Sequence, residues 1–272
     1  MEGFDEFLAS GAVGDLVPWG VQRSAMERFS RSCAEVEERI LSLDLLPARY
    51  QRNRQTISTA GQLRLFRSRV AVIGCGGLGG YVVEQLARLG VGTLVAVDPD
   101  VFEEHNLNRQ ILSSIAELGK SKVAAALARI GSINPAVTVT PHQVAFTESN
   151  ASELLEGVGL VVDALDNIPS RLALSDACTR LGIPLVHGAI GGWYGHLTTQ
   201  FPGEEAVRSI YRNWSSGKGV EQQLGNPSFT PAVVASLQVA EACKLLIGEE
   251  RHLRGRILSL DLHAMEFHET GL

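Results

Sequence analysis

Cysteine is scarce in this 272-residue chain, and the four present, Cys33, Cys75, Cys178 and Cys243, include no C-x-x-C pair. A disulfide framework or a cysteine-built zinc site therefore has no basis, and zinc is not expected. Aromatic residues make up only 6% of the chain. No apolar run reaches the roughly 18 residues of a membrane span. Net charge is −6 and no dense Lys/Arg stripe occurs, which sets nucleic acid aside as the main partner. The opening Met1-Glu2-Gly3-Phe4-Asp5-Glu6 lacks a basic n-region and does not read as a signal peptide, so the expected compartment is the cytoplasm.

What is present is 45% apolar residues, enough for one large α/β domain with appendages. Residues 1 to about 31 lack clear periodicity and read as an irregular arm. Ser32 to Leu46 alternates apolar and charged positions like a helix, stopped by Pro47. Beyond it, Arg49-Tyr50-Gln51-Arg52-Asn53-Arg54 is a cationic cluster. Strands are expected at 69–73, 93–98, 136–142, 159–163 and 184–190. Helices are expected at about 78–89, 120–131, 149–156 and 169–181. Repeated βα units predict a doubly wound, Rossmann-like, mostly parallel sheet. After residue 190 the register changes to antiparallel alternation at 196–201. A long Gly/Pro/Ser-rich loop follows over 202–227, with a short helix near 206–214. Thr230 to Ile247 is a strongly apolar helix, suited to part of a two-fold interface. Short strands at about 256–261 and 264–268 end the pattern. The division is an N-terminal arm and helix over 1–48 and one larger domain over 49–272.

The chemistry concentrates in a few blocks. Val70-Ala71-Val72-Ile73 runs into Gly74-Cys75-Gly76-Gly77-Leu78-Gly79, a glycine loop that opens a helix. Bare backbone there suits phosphate, and Asp98, ending the next strand, suits a ribose hydroxyl or a helix cap. Arg109 and Lys122 are cations just beyond this half-site, either solvated surface or charge neutralisers for a triphosphate. Asp163-Ala164-Leu165-Asp166-Asn167 ends another strand, where ligands of open sheets collect. Asp166 is a candidate Mg²⁺ ligand, and Asp166 or Asn167 a candidate cap for the following helix. His105, His187 and His196 show no metal spacing. On the glycine loop and Asp98 alone, an NAD-dependent dehydrogenase remains an alternative.

Taken together, these blocks make the chain resemble the ThiF/MoeB/HesA group of the ubiquitin-activating-enzyme superfamily, from about Arg49 to Phe267. The resemblance also rests on Asn106-Leu107-Asn108-Arg109-Gln110, Gly119-Lys120-Ser121-Lys122, Asn134-Pro135 and Ser236-Leu237-Gln238 with Glu241 and Lys244. It implies an ATP-dependent adenylyltransferase acting on the C-terminal glycine of a small ubiquitin-like sulfur-carrier protein, similar to ThiS or MoaD, for thiamine or molybdopterin-type cofactors. By the same resemblance, Gly74, Gly76 and Gly77 match the phosphate loop and Asp98 the ribose ligand. Asn106, Arg109 and Lys122 match the phosphate contacts, and Asp166 the Mg²⁺ position beside Asn167. Arg52 matches an arginine lent across a homodimer, with Arg54 as its competitor. Paired C-x-x-C motifs for zinc are missing, no cysteine lies in 202–227 for a thioester, and no rhodanese-like extension follows. The expectation is an enzyme that stops at adenylation. A member that only binds the carrier is the remaining alternative.

Overall fold

The computed structural model describes residues 3–213 and 224–272. Five parallel strands form the sheet centre: β3 (Arg69–Ile73), β4 (Thr93–Val97), β5 (Thr138–His142), β6 (Leu160–Asp163) and β7 (Leu185–Gly191). Beyond β7, the strands β8 (Tyr194–Gln200), β9 (Arg256–Asp261) and β10 (Glu266–Gly271) continue antiparallel, giving the order β10-β9-β8-β7-β6-β3-β4-β5. The expected doubly wound sheet with an antiparallel extension is what the chain forms. The extension starts two residues earlier than expected because Gly192, with φ +58°, folds β8 straight back on β7.

Strand β3 shows why the sheet is covered on both sides. Val70 and Val72 enter one hydrophobic cluster, with helix α5 (Gly77–Leu89), while Ala71 and Ile73 enter the other, with helix α8 (Ile168–Leu181). Alternate residues of one strand thus feed two cores, so the run has no polar face. Helix α6 (Lys122–Ile133) packs beside α5, and α7 (Ala151–Leu154) is a short turn before β6.

The helix at Phe229–Ile247 corrects one expectation. It spans 19 residues with mean hydropathy 1.3, long and apolar enough by length and composition to cross a membrane, and it is the one such helix among the described residues. Its polar residues escape a simple run count because they are spaced through it. Gln238 donates through Nε2 to the Asp163 carbonyl (2.8 Å), and Glu241 accepts from the Leu253 amide (2.7 Å). The helix lies against α5, β7 and β8, and 44% of its apolar stretch is buried there. Of the expected 206–214 helix, Ala206–Ile210 (α9) is present, and the rest of that loop to 223 lies mainly outside the described residues.

The N-terminal segment is not the irregular arm expected from its weak periodicity. It contains α1 (Phe4–Ser10), α2 (Trp19–Phe29) and α3 (Cys33–Ser42), and β1 (Leu16–Val17) pairs in parallel with β2 (Leu46–Pro47). Leu8, Val17, Ala25, Val36 and Ile40 make a core of their own. Each of these elements is short, so each shows too few turns for a periodic signal. Helix α3 stops at Ser42, short of Leu46, because Asp44 adopts φ +59° and the chain turns into β2.

A buried polar seam joins these helices to the sheet domain. Tyr50 donates to Glu37 Oε1 (2.6 Å) and accepts from Asn134 Nδ2 (2.7 Å), which also donates to the Ala87 carbonyl. Arg49 lies 3.3 Å from Glu37. Burial raises the Glu37 carboxyl above its ordinary pKa, against the opposing pull of Arg49. Removing the phenol leaves Glu37 short of a donor where no water reaches. Tyr50→Phe should therefore lose about 1–3 kcal/mol of stability. Urea unfolding checks this, and an unchanged midpoint and slope would contradict the seam's role.

Candidate functional site

Successive strands run outward from β3 in both directions: β4 and β5 on one side, then β6 and β7 on the other. Such a switch point opens a crevice at the carboxyl ends of the strands. A cavity of about 360 Å³ lies there, lined by residues that follow β3, β4 and β6.

The glycine loop owes its shape to two close approaches. Gly74 has φ +98°, and a Cβ on it would lie 2.6 Å from the Ala164 carbonyl. A Cβ on Gly79 would lie 1.7 Å from the Gly74 carbonyl. The loop then enters α5, whose first amides face the cavity and favour anionic groups. Asp98 ties the loop to β4: Oδ2 accepts from the Cys75 amide (2.7 Å) and Oδ1 from the Asp100 amide (2.8 Å). Burial raises the Asp98 carboxyl above its ordinary pKa, partly offset by these amides and by Lys122. Asp98 lines the cavity and caps no helix.

Lys122 is buried at the start of α6, with Nζ 2.8 Å from Asp100 and 4.0 Å from Asp98. Arg109 reaches the cavity from the loop after β4 and is held through Nη1 by the His105 carbonyl (3.0 Å) and Asn108 Oδ1 (2.8 Å). Burial lowers its pKa, and the field of Asp166 opposes that. Asn167 Oδ1 accepts from the Ser170 amide (2.9 Å), which makes Asn167 the cap of α8 and leaves Asp166 facing the cavity. Among the described residues Asp166 has one weak bond, from Asn167 Nδ2 at 3.3 Å. That suits Mg²⁺, which takes one or two carboxylates and completes its shell with water and phosphate oxygens. Among the described residues no group of three or more His, Cys, Asp or Glu is placed to hold a metal ion.

The cavity thus gathers Gly74, Gly76, Gly77, Asp98, Arg109, Lys122, Asp166 and Asn167. It does not gather Asn106 or Arg52. Asn106 is buried and its Oδ1 accepts from the Glu103 amide (2.9 Å), so it shapes the turn that presents Arg109. Arg52 is exposed and away from its own cavity, whereas Arg54 is engaged with Asp15 (2.7 Å). Gln110 and Arg171 are polar cavity residues to which the sequence reading gave no role. Gln110 is buried, and its Oε1 has no partner among the described residues. Its place directly after Arg109 was the available signal. Arg171, on α8, gave no signal, because one arginine on a mixed helix looks like any solvated one.

Comparison with known proteins decides among the readings. The sequence profile of the ThiF family matches residues 50–272. The chain belongs to the ThiF family. Its relatives include the SAMP-activating enzyme E1 of Haloferax volcanii, 40% identical over 84% of this chain and 86% of that one. The sulfur carrier protein adenylyltransferase of Thermus thermophilus is 38% identical over 75% and 79%. A probable adenylyltransferase/sulfurtransferase MoeZ of Mycobacterium tuberculosis is 34% identical over 81% of this chain and 58% of its own. The E. coli MccB structure determined with ATP shares the fold, with TM-score 0.67, 19% identity and 92% of this chain covered. This ThiF-family member is an adenylyltransferase, which displaces the dehydrogenase alternative.

The close packing at Gly79 gives a direct check on the nucleotide loop. Gly79→Ala forces the α5 start away from Gly74, so ATP affinity should fall by roughly tenfold or more, as expected for overpacking costs of about 1–3 kcal/mol. Calorimetric ATP titration measures it, and wild-type affinity in this variant would show that the loop tolerates the added carbon.

Proposed function

We propose that this enzyme adenylates the C-terminal glycine carboxylate of a small ubiquitin-like sulfur-carrier protein of the ThiS or MoaD type, with ATP and Mg²⁺, for a thiamine or molybdopterin-type cofactor. The observation that carries the reading is the pairing of two cations with a glycine loop at one sheet switch point: buried Lys122 and half-buried Arg109 line the same cavity as Gly74, Gly76, Gly77 and Asp98. The name of the Thermus relative supports a sulfur carrier as the substrate class.

The chemistry follows from charge. A carrier carboxylate is ionised at neutral pH and needs no general base. Its oxygen attacks the α-phosphorus of ATP, the bond to the bridging oxygen breaks, and pyrophosphate leaves with the electron pair, yielding an acyl-adenylate. Two anions must be held in line while negative charge gathers on the leaving group. Lys122, Arg109 and the α5 amides supply fixed positive charge, and Asp98 orients the ribose. Mg²⁺ held at Asp166 would neutralise phosphate oxygens.

Arg52 has its use in a homodimer. It is exposed, outside its own cavity, and carries no ion pair among the described residues. The segment bearing Arg109 exposes Leu107, Ile111 and Ile115, the last at 83%, an apolar surface that a second copy would cover. In this reading Arg52 reaches the partner's phosphates as an arginine finger does.

Two measurements test the reading. ATP–pyrophosphate exchange should require a purified carrier ending in Gly-Gly. Lys122→Ala and Arg109→Ala should each lower it by roughly 10²-fold or more, and Asp166→Ala should remove it. Full exchange in Asp166→Ala would sink the metal assignment. For the dimer, Arg52→Ala and Asp166→Ala should each be nearly inactive alone. Refolded together, the heterodimer has one site missing both residues and one missing neither, so about a quarter of all sites should recover. Proven heterodimers without recovery would place Arg52 outside the shared site.

A further inference from the structure

Beneath the loop that carries Asp166 lies a closed ring of buried hydrogen bonds. Asp163, at the end of β6, and His187, on β7, are both fully buried, with Oδ2 and Nδ1 2.6 Å apart. On the other side of the imidazole, Nε2 is 3.2 Å from the Tyr211 hydroxyl, which follows α9. Tyr211 accepts from Arg171 Nη1 (3.0 Å). Arg171 donates through Nε (3.1 Å) and Nη2 (2.9 Å) to the Leu165 carbonyl. The Leu165 amide donates to Asp163 Oδ1 (2.9 Å), which closes the circuit.

The donor directions agree all the way round. With Asp163 Oδ2 as acceptor, His187 donates through Nδ1–H, which leaves Nε2 to accept from the Tyr211 hydroxyl. The Tyr211 oxygen is then open to Arg171, and the guanidinium grips the Leu165 carbonyl with two donors. The peptide that is gripped lies between two constraints. The Ala164 carbonyl just before it sits against Gly74, closely enough that a Cβ there would be 2.6 Å away, and Asp166 just after it faces the cavity.

We propose that the ring Asp163–His187–Tyr211–Arg171–Leu165 is a positioning device: it fixes the 164–167 loop so that Asp166 meets Mg·ATP without rearranging, with Tyr211 and His187 as positioning residues that touch neither ATP nor metal. This rests on the reading of Asp166 as the metal-facing carboxylate. A rigid loop leaves little ordering cost when the metal complex arrives, and a loosened one must be ordered at that moment. The ring therefore acts on the metal-dependent part of ATP affinity and leaves the Gly74–Gly79 and Asp98 contacts alone.

The test is calorimetric titration of the full chain with ATP, once in EDTA and once with saturating Mg²⁺, so that the gain in affinity from the metal is read without a carrier. Tyr211→Phe removes one hydroxyl and keeps the ring of carbon atoms. Asp163→Asn keeps the shape but turns the Nδ1 contact around, which forces the other imidazole tautomer. Both should bind ATP in EDTA within about twofold of wild type and lose about tenfold of the metal-dependent gain. Asp166→Ala is the reference and should lose the whole gain. A full gain in both ring variants, with the gain lost in Asp166→Ala, overturns the ring and spares the metal reading. A full gain in Asp166→Ala overturns the metal reading and the ring with it. Equal losses in EDTA and in Mg²⁺ overturn the ring as a positioning device, since general damage to the site would weaken both.

Discussion

The contact between Gly79 and the Gly74 carbonyl is the constraint on which the site depends. There is no room for one carbon atom between the first turn of α5 and the end of β3. That closeness aims the first amides of α5 at the cavity, because the helix axis then points at the strand end. It also seats Gly74 against Ala164, so the loop after β6 is placed by the loop after β3. Asp98 completes the arrangement by binding the Cys75 amide between them. Three strand ends are fixed relative to one another by backbone contacts before any ligand is considered.

The charged residues are arranged to suit this geometry. A buried ammonium without a counter-charge is costly, and Lys122 is nearly sealed from water. Asp100 serves as its partner at 2.8 Å while keeping 61% of its own side chain exposed. An anion entering the cavity therefore meets a cation whose present partner is well hydrated. Releasing this carboxylate costs little on its own side, because it is already largely hydrated, and the incoming anion replaces it beside Lys122. Asp98 stays behind, fixed by two amides, so one carboxylate of the cavity is held in place while the other is free to part from Lys122.

The sequence made the central sheet legible for a physical reason. Strands buried on both faces must be apolar throughout, and glycine has no substitute where backbones nearly touch, so β3 and Gly74–Gly79 announce themselves. Asp98 and Asp166 were legible as cavity positions because they follow strand ends in the order a doubly wound sheet requires, and Lys122 because it opens the next long helix. The N-terminal helices were not, since Leu8, Val17, Ala25, Val36 and Ile40 form a core contributed one or two residues at a time by separate elements. Asn106 was read as a phosphate contact because it belongs to the same block as Arg109. Its Oδ1 accepts from the Glu103 backbone amide, and a motif does not distinguish a residue that touches a ligand from one that shapes the turn beside it.

The same distinction explains why Asp163 and His187 escaped notice as a pair. They are 24 positions apart on neighbouring strands, and only the parallel register of β6 with β7 sets them side by side. Neither shows metal spacing or a nucleophile, so each taken singly reads as a core residue. Burying a carboxylate and an imidazole costs free energy unless both are fully hydrogen-bonded. Here the bonds that meet this need run on through Tyr211 and Arg171 to a peptide next to Asp166. Stability alone would be served as well by two apolar side chains of similar size, as often holds for buried ion pairs. What apolar residues cannot do is hold a carbonyl in a set direction, and the position of Leu165 between Gly74 and the cavity is where a set direction matters.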